Sequence, residues 1–249
     1  MPVFLRLSWI FLEIYEVTET EEMNTLNTLA FLVFPYLAIT TCVVGHLYRY
    51  FSDPYGWNTR SSELLEKKGL KFAATIFHWG IIFTLLGHGA GLLVPQKYWD
   101  AVGMDSQTHT MVATYSGLVV GSAALLGLTL LLFRRLTKDR ILATTTLNDF
   151  VTIGLLFFVV ATGTANVVIG LYEHFDILTT VAPWLRGIVT FTPDPSLMLR
   201  VPLRFKLHIL GVLTLTGFWP FSRLVHVWSM PLTYVFRRWI IFRKREAVL

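Results

Sequence analysis

The chain has 249 residues, of which 54% are hydrophobic and 14% aromatic while only 15% are charged. That balance excludes an ordinary water-soluble domain and a disordered chain and belongs to a membrane protein. The formal charge of +5 is no nucleic-acid signature, because the basic residues flank apolar runs and no basic patch interleaved with aromatics stands elsewhere.

Residues 1–22, MPVFLRLSWIFLEIYEVTETEE, join a short apolar start to Glu13, Glu16, Glu19, Glu21 and Glu22. They make a poor signal peptide, lacking a strong positive start and a small-residue cleavage site, and Met23 is an equally plausible start of translation. This N-terminal extension is expected to carry no chemistry. The first charge-free run, 23–48, contains Pro35 and His46, the latter read as an interfacial packing residue. A polar loop follows, with turn signals at Asp53-Pro54 and Gly56.

The second run, 72–96, carries His78 and His88 and is weakened by Gly80, Gly87, Gly89 and Gly91 before Pro95 ends it. QKYWDAVGMDSQTHT is then predicted as a loop with Tyr98 and Trp99 as interfacial anchors. His109 at its end reads either as an exposed loop residue or as a polar group lining a substrate pocket. The third run, 106–133, has Gly117, Gly121, Ala123, Ala124 and Gly127, small residues that let helices approach closely.

RILATTTLND leads into the fourth run, 150–172, with Thr146 or Asn148 as candidate caps. His174 beyond it reads as solvated. The segment 173–202, with Pro183, Pro193, Pro195 and Pro202, should be irregular or form short helices over one end of the bundle. The fifth run, 207–222, is short and reaches spanning length only by continuing past Arg223 to about Trp228. It carries His208 and His226.

These runs predict an all-α integral membrane bundle of five transmembrane helices over residues 23–238, followed by a basic tail, 239–249. Arg49, Arg60, Lys67, Lys68 and Lys71 follow the first run, Arg134, Arg135, Lys138 and Arg140 follow the third, and the C-terminal end is basic again. Because Lys and Arg accumulate in cytoplasmic loops, the N-terminus is expected outside and the C-terminus in the cytoplasm.

Ionisable rings within apolar spans need a partner or a function. Two on each of two spans suggest a shared ligand set in which facing helices grip metal centres. In a continuous helix His208 and His226, 18 residues apart, would lie on one side about 27 Å apart, whereas His78 and His88 would be separated by about 15 Å and roughly 80°. Tilt and distortion at the glycines would have to absorb that mismatch. Cys42 is the only cysteine, so cysteine-held clusters and covalent C-x-x-C-H attachment are excluded and non-covalent b-type haem is favoured. Arg204 and Arg223 share a helix face with His208 and His226 respectively; if the histidines ligate haem these arginines are placed to pair with its propionates, and independently of haem they read as basic anchors at span ends. No P-loop, H-E-x-x-H or dinucleotide fingerprint occurs.

FHWGIIFTLLGHGAGLLVP, RILATTTLND, VTF and PFSRLVHVWSMPLTYV resemble the gamma subunit of respiratory nitrate reductase, a di-haem cytochrome b, from about Leu26 to Arg238. The resemblance implies that His78 and His226 ligate the haem nearer the cytoplasm and His88 and His208 the outer haem, a pairing the predicted topology also gives. It further implies that quinol is the substrate, oxidised beside the outer haem near Gly87, His88, Thr108 and His109. Electrons would pass to an iron-sulfur beta subunit and a molybdenum-containing alpha subunit on the cytoplasmic side. Members of this family can carry a lysine where this chain has Thr108 and His109, so His109 is the candidate hydrogen-bond partner here. Two other readings remain at this point: the same di-haem quinol oxidation serving a different cytoplasmic reductase, and a haem-free histidine proton relay in a transporter. The absence of Asp and Glu from the four clean runs disfavours the relay.

Overall fold

The computed structural model describes residues 23–52 and 68–227. The expectations for the extension 1–22, the loop 53–67, the end of the fifth span from Trp228 and the basic tail 239–249 lie outside the described residues. All the regular structure among the described residues is helical, as expected.

Four helices are long and apolar enough to cross a membrane. They are α1 (Met23–Ser52), α2 (Lys68–His88, extended by a π turn over Gly89–Leu93), α4 (Ser106–Thr137) and α6 (Leu147–Gly170). Between them lie the short helices α3 (Gln96–Ala101) and α5 (Asp139–Leu142). α7 (Val181–Val189) and α8 (Leu203–Phe218) complete the set. Large apolar side chains such as Leu86, Tyr115, Val119 and Phe133 are exposed on the long helices, as on a surface meant for lipid.

Two expectations need correction. The fifth span is not continuous to Trp228: α8 has 16 residues, and the chain then turns through 3-10 helices over Trp219–Phe221 and Arg223–Val227. Pro220 explains the break, since it cannot donate to the carbonyl one turn earlier and its ring crowds that turn. The stretch after Pro95 is likewise not a plain loop. Gln96–Ala101 is helical, with Pro95 in extended geometry just before it.

Helix starts follow the local chemistry. Asp105 caps α4, accepting from the Thr108 backbone N–H at 2.8 Å. These bonds hold the exposed Asp105 carboxyl below its ordinary range. Thr146 caps α6 in a reciprocal capping box with Asp149.

α2 packs on α4, α4 on α6, α6 on α8, and α8 on α1. The glycines set these approaches. A Cβ at Gly80 would meet the Ala124 backbone, and one at Gly127 would collide with the backbone of Phe77. Phe77, Ala124, Leu128 and Val160 form the buried cluster between α2, α4 and α6. Gly80 is therefore a packing residue, and the distortion of α2 comes after His88, in the π turn.

At one end of the bundle, the segment with α7 covers the helix tips. Phe31, Val181, Trp184, Ile188, Met198 and Val201 form its core. Pro35 leaves the Phe31 carbonyl without its α-helical donor, α1 widens into a π turn at Leu29–Val33, and the Trp184 indole N–H donates to that carbonyl at 2.8 Å. Arg186 donates to Leu92 O at 2.9 Å, tying α7 to the π turn of α2.

Candidate functional site

α2 carries His78 and His88, α8 carries His208 and the 3-10 turn beyond it carries His226, yet α2 and α8 do not rank among the packed helix pairs. What crosses between α2 and the α8 segment is the facing histidines. The His88 and His208 ring centres are 6.3 Å apart, and those of His78 and His226 are 6.0 Å apart. The predicted pairing is thus brought together, and the break after Phe218 removes the mismatch in spacing. Ten residues from His208 to Phe218 rise about 15 Å, matching the rise from His78 to His88. The turn that follows returns His226 to the level of His78.

The second nitrogen of each ring decides what the first can do. His78 Nδ1 lies 2.7 Å from Ala74 O and His88 Nδ1 lies 2.8 Å from Thr84 O. His226 Nδ1 is 3.1 Å from Arg223 O and His208 Nδ1 is 3.1 Å from Val159 O. A carbonyl can only accept, so all four Nδ1 atoms carry a proton, and in the neutral ring each Nε2 then keeps its lone pair. That is the usual preparation of a metal-ligating imidazole.

The spacing also fits a metal. Two imidazoles ligating one metal from opposite sides stand roughly 6 Å apart between ring centres, from two bonds of about 2.0 Å and two ring radii of about 1.1 Å. Among the described residues no group of three or more His, Cys, Asp or Glu is arranged for a metal ion. The donors come as opposed pairs, which suits a macrocycle that brings its own equatorial ligands.

The two pairs are held differently. At the α7 end, His208 is cradled by α6: Thr162 Oγ1 is 3.2 Å from its Nδ1, and a Cβ at Gly163 would come within 2.8 Å of its Cε1. At the other end, His226 depends on the turn that carries it. The Arg223 guanidinium grips the buried Asp149 carboxylate through Nε and, at 2.6 Å, through Nη2. Arg135 stands 3.8 Å from the same carboxylate. Asn148 donates to Phe221 O at 2.8 Å, and Arg49 donates to Pro220 O at 2.7 Å. The LND of RILATTTLND therefore anchors the turn of PFSRLVHV.

Both arginines expected on propionates are engaged by protein carboxylates. Arg204 donates to Glu173 at 2.5 Å. Its Nε is buried without a hydrogen-bond partner.

His109 is not an exposed loop residue: only 5% of its surface is accessible. Its Nδ1 lies 2.7 Å from Gln96 Oε1. The Gln96 amide nitrogen donates to Asp100 Oδ1 at 2.8 Å and to Met104 O at 3.0 Å. The amide is thereby oriented so that His109 must donate from Nδ1, leaving Nε2 beside Gly91. Thr108 is exposed, and space is open at Gly87 and Gly89. His46 bonds to Cys42 O within α1, at 2.7 Å.

Thr162, Gly163, Asp149, Asn148 and Gln96 were not singled out as site residues by the sequence. Asn148 reads only as a candidate cap, and Asp149 carries a signal as an acid three residues beyond a capping threonine.

The model of the family described as "Nitrate reductase gamma subunit" matches residues 27–245. The nitrate reductase gamma chain of Bacillus subtilis is 43% identical over 215 residues, 86% of this chain and 96% of that one. The respiratory nitrate reductase 1 gamma chain of Escherichia coli is 34% identical, covering 87% of this chain and 96% of its own. A nitrate reductase-like protein, NarX, of Mycobacterium tuberculosis is 37% identical over 89% of this chain, which spans 34% of that longer protein.

Proposed function

Since the chain belongs to the nitrate reductase gamma subunit family, we propose that it is the di-haem cytochrome b that admits electrons from membrane quinol to a nitrate reductase complex. The observation that carries this reading is the two opposed histidine pairs, 6.0 and 6.3 Å between ring centres, each ring with its Nδ1 proton committed to a carbonyl.

His78 and His226 hold one haem and His88 and His208 the other. Bound haem supplies one-electron chemistry. The protein supplies axial ligands, burial and hydrogen bonds, its levers on potential. Arg204 keeps an unpartnered Nε donor for a propionate, whereas Arg223 is assigned to holding the His226 turn through Asp149.

Quinol binds at the α7 end, in the outer half of the membrane, near Gly87, His88, Thr108 and His109. Open space at Gly87 and Gly89 admits a ring. His109, its tautomer fixed by Gln96, offers Nε2 to accept a hydroxyl proton. α8 serves as the fifth span, and the end with Asp149 faces the cytoplasm. There the exposed Lys138 and Arg140 flank the docking face for the iron-sulfur beta and molybdenum alpha subunits.

The test is quinol-driven reduction followed optically in membranes containing the three-subunit complex. A reduced quinol should bring up b-haem absorbance, and nitrate should then bleach it only when the alpha and beta subunits are present. Absorbance that quinol cannot raise but dithionite can would remove quinol oxidation from the reading. Bleaching by another oxyanion and not by nitrate would transfer the chain to a different reductase.

A further inference from the structure

Three of the four candidate ligand rings are steadied by their own segment: His78 by Ala74 O, His88 by Thr84 O and His226 by Arg223 O. His208 is the exception. Its Nδ1 makes no bond to α8 and instead meets α6, at Val159 O (3.1 Å) and Thr162 Oγ1 (3.2 Å). The hydroxyl has one proton, and backbone carbonyls of α6 take it, Phe158 O at 2.7 Å and Val159 O at 3.1 Å. Toward the imidazole, Thr162 Oγ1 can therefore only accept. Gly163 completes the arrangement, since any side chain there would push into the ring edge.

We propose that Thr162 and Gly163 of α6 are positioning residues for His208, Thr162 tuning the centre held by His88 and His208 through the Nδ1 proton and Gly163 giving the ring its place. The inference rests on the di-haem reading. The hydroxyl adds a second acceptor to a proton already shared with a carbonyl, which gives the ring more anionic character and favours the oxidised metal. Such a contact tunes one centre and not the other, because nothing equivalent touches His78, His88 or His226 among the described residues. It also makes the tuning a property of the α6–α8 distance. A change in that spacing would alter one centre's potential without displacing a ligand.

The experiment is a redox titration of the b-type absorbance in membranes holding the full complex, for the wild type, Thr162→Val, Thr162→Ser and Gly163→Ala. Thr162→Val should raise one midpoint potential and leave the other in place, and Thr162→Ser should restore the wild-type pair. Gly163→Ala should reduce b-haem content from two per chain to one. Two wild-type centres with both midpoints unmoved in Thr162→Val, or with both moved together, would overturn the proposal while leaving the di-haem reading intact. A folded wild type with no b-type absorbance would overturn both.

Discussion

Asp149 illustrates how much rests on single side chains. It closes the capping box of α6, with its carboxylate 2.9 Å from the Thr146 backbone nitrogen, and grips Arg223, three residues before His226. Asp149→Asn would leave Arg223 short of its anion and loosen the turn. Losing a residue that holds a ligand in place typically costs 10–100-fold in metal affinity. Haem should therefore be lost more readily from the His78–His226 centre than from the other, which chelate-free dilution of purified protein would read as faster loss of one of two spectral components. Asp105 makes a milder, pH-dependent case. Its folded carboxyl titrates below the ordinary carboxylate value, held by the bonds to Thr108, so its contribution is full above that ordinary value, about 3.9. The contribution is lost as pH falls through the lowered one. Amide exchange at Thr108 should rise as pH drops through that window, after correction for intrinsic exchange, and Asp105→Asn should abolish the extra rise. The four facing histidines stand out in the sequence because ionisable rings are costly in apolar spans. Thr162 and Gly163 do not, since small neutral residues in such a helix have packing as their ordinary role.

At the scale of elements, contacts between backbones decide the bundle. Gly127 lies against the backbone of Phe77, one residue before His78. Gly127→Val would force α2 from α4, an overpacking cost of about 1–3 kcal/mol or more, and should lower thermal stability in detergent and displace His78 together. The small-residue face of the third span was readable in advance, although its partner helix was not. The break in the fifth span was signalled by Pro220, but the apolar pattern continues across it and hid the turn. α7 depends on a different bond. Trp184→Phe keeps the aromatic packing on Phe31 and removes the donor to its carbonyl. A buried acceptor left without a partner costs about 1–3 kcal/mol. The expected result is a lower melting temperature with b-haem content preserved at moderate temperature. Loss of haem without loss of stability would assign Trp184 to the site itself.

At the scale of the whole molecule, two helices that scarcely pack on each other face across a gap, backed by α4 and α6 and covered at one end by α7. Charge-free apolar runs foretold the long helices, because length and composition settle those. They could not foretell the gap. A gap is a property of which helices are neighbours, and the sequence signalled it only through the four rings that cross it. A bundle in which two helices meet through imidazoles rather than side-chain packing should, on the proposed reading, be stabilised by a group that binds between those imidazoles. The most direct test counts b-type haem per chain by pyridine haemochrome in the purified protein, in the wild type and in paired variants. The wild type should give two. His88→Ala with His208→Ala should give one, because both ligands belong to one centre, and His88→Ala with His226→Ala should give none. A well-folded wild type without haem, or one haem surviving in the His88→Ala, His226→Ala protein, would contradict the assignment.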